Sequence, residues 1–74
     1  MRDLVYIVTA GLNDRPVGLR MSLDLALDLC ADRYYPDEIL LHIVEIKVMA
    51  GDAQVDVYSP MDVYQMLKES GRYY

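Results

Sequence analysis

Residues 19–29 read LRMSLDLALDL, and the fold turns on whether this stretch is extended or coiled. Apolar and polar residues alternate along it at period two, as in a half-buried strand. Three features argue for a helix instead. No β-branched residue occurs from Gly18 through Glu38, whereas Leu, Met, Ala and Arg favour helices. The run from Pro16 to about Arg33 is too long for an ordinary strand. Helical spacing also groups Leu19, Leu23, Ala26, Leu27 and Cys30 on one face, with Arg20, Asp24 and Asp28 in a polar stripe at i, i+4, i+8. A helix over residues 16–33 is the reading that follows.

Such a helix leaves Met21, Leu25 and Leu29 as a second apolar stripe, beyond the single stripe a surface helix uses to cover its core. Either the C-terminal helix of the same chain or another subunit would have to cover it.

On the N-terminal side, Asp3 to Ala10 (DLVYIVTA) is dense in Val, Ile, Tyr and Thr with apolar residues on both faces, a strand covered on both sides. Gly11 ends it, and Asn13-Asp14-Arg15-Pro16 reads as a turn and cap before the helix. On the C-terminal side, Tyr34-Tyr35-Pro36-Asp37 breaks the chain. Ile39 to Val48 (ILLHIVEIKV) reads as a strand whose second half alternates cleanly, with Val44, Ile46 and Val48 against Glu45 and Lys47. Gly51-Asp52 signals a tight turn into a short strand, Val55 to Tyr58, most simply an antiparallel hairpin. Ser59-Pro60-Met61-Asp62 is a helix start, with Ser as N-cap, Pro in the first turn and Asp near the positive helix end. A helix from Pro60 to about Glu69 follows, closed by Gly71, with Arg72-Tyr73-Tyr74 beyond it.

The expected fold is therefore one α/β domain over residues 1–74: a three-stranded sheet with two helices in the order β-α-β-β-α. Its first βαβ unit is expected to be parallel and right-handed.

Composition bounds the function. Leu, Ile and Val make up 22 of the 74 residues, enough to build a core. Twelve acids against seven bases give a formal charge of −5, which disfavours a nucleic-acid backbone or an anionic membrane as partner. No stretch approaches the roughly 20 apolar residues of a spanning helix. The start, Met1-Arg2-Asp3, lacks the pattern of a signal peptide, so the cytoplasm is the expected address. A single cysteine precludes an intrachain disulfide, and one Cys with one His gives no zinc spacing, so no metal or cofactor is expected. A chain this short buries only about 60% of its unfolded surface, which makes association with further copies attractive.

Few residues offer chemistry. The loop Thr9 to Arg15 follows a strand and precedes the expected helix, the place where α/β sheets bind ligands, and Thr9, Gly11, Asn13 and Arg15 could contact an anion. It has one Gly and no phosphate-binding fingerprint, so a plain connecting loop is the simpler reading. Cys30 is a candidate thiol, but it falls toward the helix C-terminus on the apolar face near Asp28 and Asp32, a setting that raises a thiol pKa. His42 lies in the Ile-Leu-Val run with no second catalytic group beside it and reads as a core or interface histidine. The pairs Tyr34-Tyr35 and Tyr73-Tyr74 suit an interface or packing on their own domain. Asp24, Asp28 and Asp32 read as a solvated flank.

Val5-Tyr6-Ile7-Val8-Thr9-Ala10-Gly11, followed by the Leu/Ala run through Leu27, resembles the opening of the DsrE-like family, small α/β proteins associated with sulfur transfer. Val55-Asp56-Val57-Tyr58 and Met61 to Leu67 look similar to a later strand and helix of that family. The resemblance implies a flavodoxin/DsrE-like layer arrangement and a tendency to form homo-oligomers. It carries over no catalytic residue, because the sulfur-handling cysteine of active members lies in a loop beyond a later strand, whereas Cys30 falls in the first helix. The function expected is that of a non-enzymatic, homo-oligomeric or assembly subunit with Met21, Leu25 and Leu29 at its interface and no identified protein partner. The alternatives are a sulfur-relay carrier using Cys30 and a small-anion or nucleotide site at Gly11 to Arg15.

Overall fold

Where a single helix is expected from Pro16, the computed structural model, which describes residues 3–72, turns the chain back as a strand. β1 (Leu4–Ala10) ends in a turn over residues 11–14, and β2 (Arg15–Arg20) returns antiparallel beside it. Gly11 has φ +83° and Asp14 φ +51°, and the Asp14 amide donates to the Gly11 carbonyl at 3.2 Å. Gly and Asp enter this left-handed region at low cost, so the Asn13-Asp14 signal is a hairpin turn and not a helix cap. β2 is an edge strand, where Pro16 needs no ladder N–H and the β-branched Val17 is at home. The period-two pattern is thus true strand as far as Arg20. Helix α1 (Leu23–Arg33) starts only after Ser22, whose Oγ accepts from the Leu25 amide at 3.2 Å.

The segment Ile39 to Val48 also divides. Its first residues form α2 (Pro36–Leu41), with Pro36 in the first turn and the Glu38 carboxylate accepting from the Tyr35 amide at 2.7 Å. β3 (Glu45–Ala50) begins where the clean alternation begins. β4 (Ala53–Tyr58) pairs with it antiparallel through the Gly51-Asp52 turn, as expected. α3 (Pro60–Glu69) opens on a reciprocal cap, Ser59 Oγ accepting from the Asp62 amide and the Asp62 carboxylate from the Ser59 amide, both at 3.2 Å.

The sheet is four-stranded, ordered β2-β1-β3-β4, and every neighbouring pair is antiparallel. This overturns the expected three-stranded sheet with two helices: the order is β-β-α-α-β-β-α. It also removes the parallel β1–β3 pairing, and with it the flavodoxin/DsrE-like layer arrangement. β2 and β3 run in one direction with β1 between them, and α1 and α2 span that crossing.

α1 packs on β1 and β2, α3 on β3 and β4, and α1 and α2 both meet α3. Val8 and Ile46 from the sheet join Leu27, Cys30, Ile39, Val63 and Leu67 from the helices in one core. The helices therefore form one layer on one face. Each such fully buried aliphatic side chain contributes about 1.5–3 kcal/mol. Gly18 lets α1 sit close: a methyl group there would lie 2.6 Å from Leu29 Cδ2.

Candidate functional site

Two surface features stand out, and the first is an open cleft of about 600 Å³ between the β1–β2 hairpin and the α2–β3 turn. The hairpin contributes Gly11, Leu12, Asn13, Arg15 and Val17; the other wall holds Tyr34, Leu41, His42 and Ile43. One backbone bond ties the walls, the Gly11 amide donating to the His42 carbonyl at 2.7 Å. His42 is not in a strand but caps the C-terminal end of α2. Its ring lies 5.8 Å from that of Tyr34, and its Nε2 lies 3.7 Å from a Glu38 carboxylate oxygen. After it, Ile43 has φ +52°. The Val44 amide donates back to the Ile39 carbonyl at 3.0 Å, the closing bond of a helix end at which glycine is usual. A β-branched residue there is strained.

Of the sequence-derived anion candidates, Gly11, Asn13 and Arg15 meet in this cleft and Thr9 does not. The loop leads into a strand, so no helix N-terminus faces it. Thr9 pairs with Glu45 on β3 and alternates with core-facing Val8, so it points to the opposite face. Its Oγ1 is buried there with no hydrogen-bond partner among the described residues.

The second feature is that opposite face of the sheet, which no helix among the described residues covers. Val5, Ile7, Leu19, Met49 and Val57 point outward by the strand register, and Val55 sits at a bulge beside them. Leu19, Val55 and Val57 are 51%, 55% and 42% exposed. Lys47 also points outward, but its charge is neutralised by Asp14 at 2.9 Å.

The remaining candidates scatter. Met21 is exposed in the bend before α1 and Leu25 is half exposed on α1, while Leu29 is buried against β2. The three do not form one exposed stripe. Cys30 is fully buried, and burial pushes its thiol up to about 12, so it is protonated at neutral pH. Asp24 and Asp28 are not simply solvated, because Arg72 reaches them at 3.3 and 2.6 Å. Arg72 and Asp28 also line a smaller hollow of about 390 Å³ with Arg20 and Asp32, where opposite charges already face one another. Tyr34 packs against the core, Tyr35 is exposed, and Tyr73 and Tyr74 lie outside the described residues.

Sequence reasoning missed Tyr34, Leu41 and His42 as parts of a cleft. The available signal was Pro36 followed by Asp37-Glu38, a helix start that puts His42 just past a short helix. Among the described residues no three His, Cys, Asp or Glu side chains are grouped to hold a metal ion, and no helix is long and apolar enough to cross a membrane. No known protein family, no curated protein and no solved structure matches the chain. The DsrE-like resemblance accordingly contributes no residue to either feature.

Proposed function

We propose that this chain is a non-enzymatic association domain that pairs with a second copy of itself through the uncovered face of its sheet. The observation that carries this reading is the row of outward apolar side chains, Ile7, Leu19, Met49 and Val57, which no described element covers. Sheets bury such faces by packing on another layer, and a second sheet at about 10 Å is the simplest layer available.

Charge favours a copy of the same chain over an oppositely charged partner. The three helices carry seven acids against two bases, whereas the outward face carries Glu45 and the Lys47–Asp14 pair, a single net negative charge. Face-to-face pairing keeps the acidic helices outside and brings near-neutral surfaces together. The strand edges support the same choice. On β2, Pro16, a bulge at Val17 and the Arg20 guanidinium, which donates to the Leu19 carbonyl at 2.8 Å, blunt the edge. On β4, a bulge and the Asp56 carboxylate, which accepts from the Val57 amide at 2.8 Å, do the same. Lateral strand pairing is disfavoured and the face remains.

Area sets the strength. Four strands about 4.8 Å apart and six residues long give a footprint on the order of 400 Å². A standard interface uses about 800 Å² per partner, so this dimer belongs to the weak class. Sedimentation velocity from micromolar to millimolar concentration is the test. The expected result is a concentration-dependent dimer that Val57→Lys abolishes while far-UV circular dichroism is unchanged. A wild-type monomer throughout that range would defeat the proposal.

A further inference from the structure

The cleft between the β1–β2 hairpin and the α2–β3 turn carries an inference separate from self-association, because it opens on the helix side of the sheet. Arg15 is the cation of this cleft, and no carboxylate among the described residues engages it. Arg20, Arg33 and Lys68 likewise have no carboxylate partner among the described residues, so what sets Arg15 apart is the cleft it lines. The nearest acid in sequence, Asp14, is already held by Lys47 at 2.9 Å. Glu38, one helical turn before His42 in α2, sits beside that ring at 3.7 Å. The guanidinium fork is thus left with its donors unspent, and the Asn13 amide and the His42 ring share its cleft.

The rest of the lining is apolar and uncovered. Leu12 is 88% exposed and Leu41 is 74% exposed, one on each wall, and the Tyr34 ring lies between the helix layer and His42. A few convergent polar groups within an apolar hollow is the usual make-up of a small-molecule site. The backbone holds the walls in place: the Gly11–His42 bond joins them, and left-handed conformations at Asp14 and Ile43 immediately flank Arg15 and His42. At the β-branched Ile43 this conformation costs about 1–3 kcal/mol, and such strain tends to collect at ligand sites.

We infer that this cleft binds a small organic carboxylate with an apolar body, its carboxylate on the Arg15 guanidinium and the Asn13 amide and its body between Leu12, Leu41 and Tyr34. The fork matches the two carboxylate oxygens, and the opposed leucines favour a flat or branched apolar group over a compact inorganic anion. The smaller hollow near Arg72 is less suited, because Asp24 and Asp28 hold Arg72, and Arg20, its other cation, donates to the Leu19 carbonyl and shares the hollow with Asp28 and Asp32.

Benzoate serves as the probe, with benzamide as its uncharged isostere and inorganic phosphate as a compact anion. In a ¹H–¹⁵N titration of the whole chain at millimolar probe, benzoate is expected to move the amides of Gly11, Asn13, Arg15 and Ile43. Benzamide and phosphate are expected to move them much less. Arg15→Met should weaken benzoate by about tenfold, the loss of a charge-assisted contact. Arg15 is exposed on an edge strand, and an unchanged amide dispersion would confirm that the variant folds. Leu41→Ser is the second variant and should weaken benzoate without touching the cation. Val57→Lys, which breaks the proposed dimer, should bind as wild type, so the two proposals fail separately. Absence of benzoate shifts, equal shifts from benzamide or phosphate, or full binding by Arg15→Met would overturn the inference.

Discussion

Along β3, Ile46, Val48 and Ala50 enter the helical layer while Glu45, Lys47 and Met49 turn the other way, so one strand serves two different surfaces. Ile46 is completely buried and meets residues from the helices. Ile7, on the neighbouring strand but outward, pairs across to Lys47 and Leu19 and is only half-buried. Both faces are rich in Val, Ile and Leu. What separates them is that the three short helices all cover one face of the four-stranded sheet, and no described element lies on the other. Hydrophobic pattern states which residues seek cover. Chain length decides how many receive it within a monomer.

The sharpest way to break this contrast is to shorten one isoleucine on each face and measure urea unfolding at low protein concentration. Ile46→Ala leaves a cavity in a closed core and should cost about 2–5 kcal/mol. Ile7→Ala removes atoms that are only partly buried and should cost less, about 1 kcal/mol, with the larger consequence appearing in sedimentation. Equal losses in the monomer would mean that the outward face is packed as tightly as the inward one, and the distinction would fall.

The same contrast shows why part of the fold was legible in the sequence and part was not. β3, β4 and α3 were readable because each signal there is local: strict alternation after Val44, a Gly-Asp turn, and a Ser-Pro-x-Asp cap. The first half misleads because its two decisive signals are single residues. Val17, one β-branched residue ahead of a Leu-rich run, belongs to a strand, and Ser22 is the true helix cap in the middle of what looks like one helix. Alternation through Arg20 marks a real strand, but the Leu, Met and Ala that follow are helix formers and outweigh it in a reading by local pattern. Likewise Ile39-Leu40-Leu41 has strand-like content, but Pro36 with Glu38 nucleates a helix that delivers Ile39 to the core. The cleft was half legible. Asn13 and Arg15 stand together in sequence, but His42 and Tyr34 join them only because the hairpin folds toward the end of α2, a long-range fact that local pattern does not contain.

The covered side of the sheet should also be distinguishable by its proton chemistry. Cys30 lies in the helical layer and burial raises its thiol from an ordinary value of 9.0 to about 12. Below pH 9 the thiol is protonated in both folded and unfolded chains, and this stabilising contribution is fully present. Above that, the unfolded thiol ionises while the folded one does not, so unfolding releases a proton. Stability should therefore fall by up to about 1.4 kcal/mol per pH unit until the folded thiol itself titrates near 12. Denaturant unfolding under reducing conditions, from neutral to alkaline pH, should show a shallower decline for Cys30→Ala than for wild type. Parallel slopes would indicate that water reaches the thiol and that the helical layer is less tightly closed than the core contacts require.

The smallest expected effect on stability separates the faces from the edges. Asp56 lies on β4, the outermost strand, and its carboxylate accepts from the Val57 amide at 2.8 Å, a hydrogen bond made along the strand rather than across it. Removing one exposed bond of this kind should change folding by less than about 1 kcal/mol. Its effect on association should be larger, because the freed N–H and the lost charge turn a guarded edge into one able to accept another strand. Asp56→Ala should therefore retain its unfolding midpoint within a small margin while light scattering detects species larger than a dimer. If the variant instead keeps the wild-type size distribution, the edge is protected by the bulge and twist alone. If wild type itself grows beyond a dimer, the edges are not closed, and lateral pairing competes with the face as the route by which copies meet.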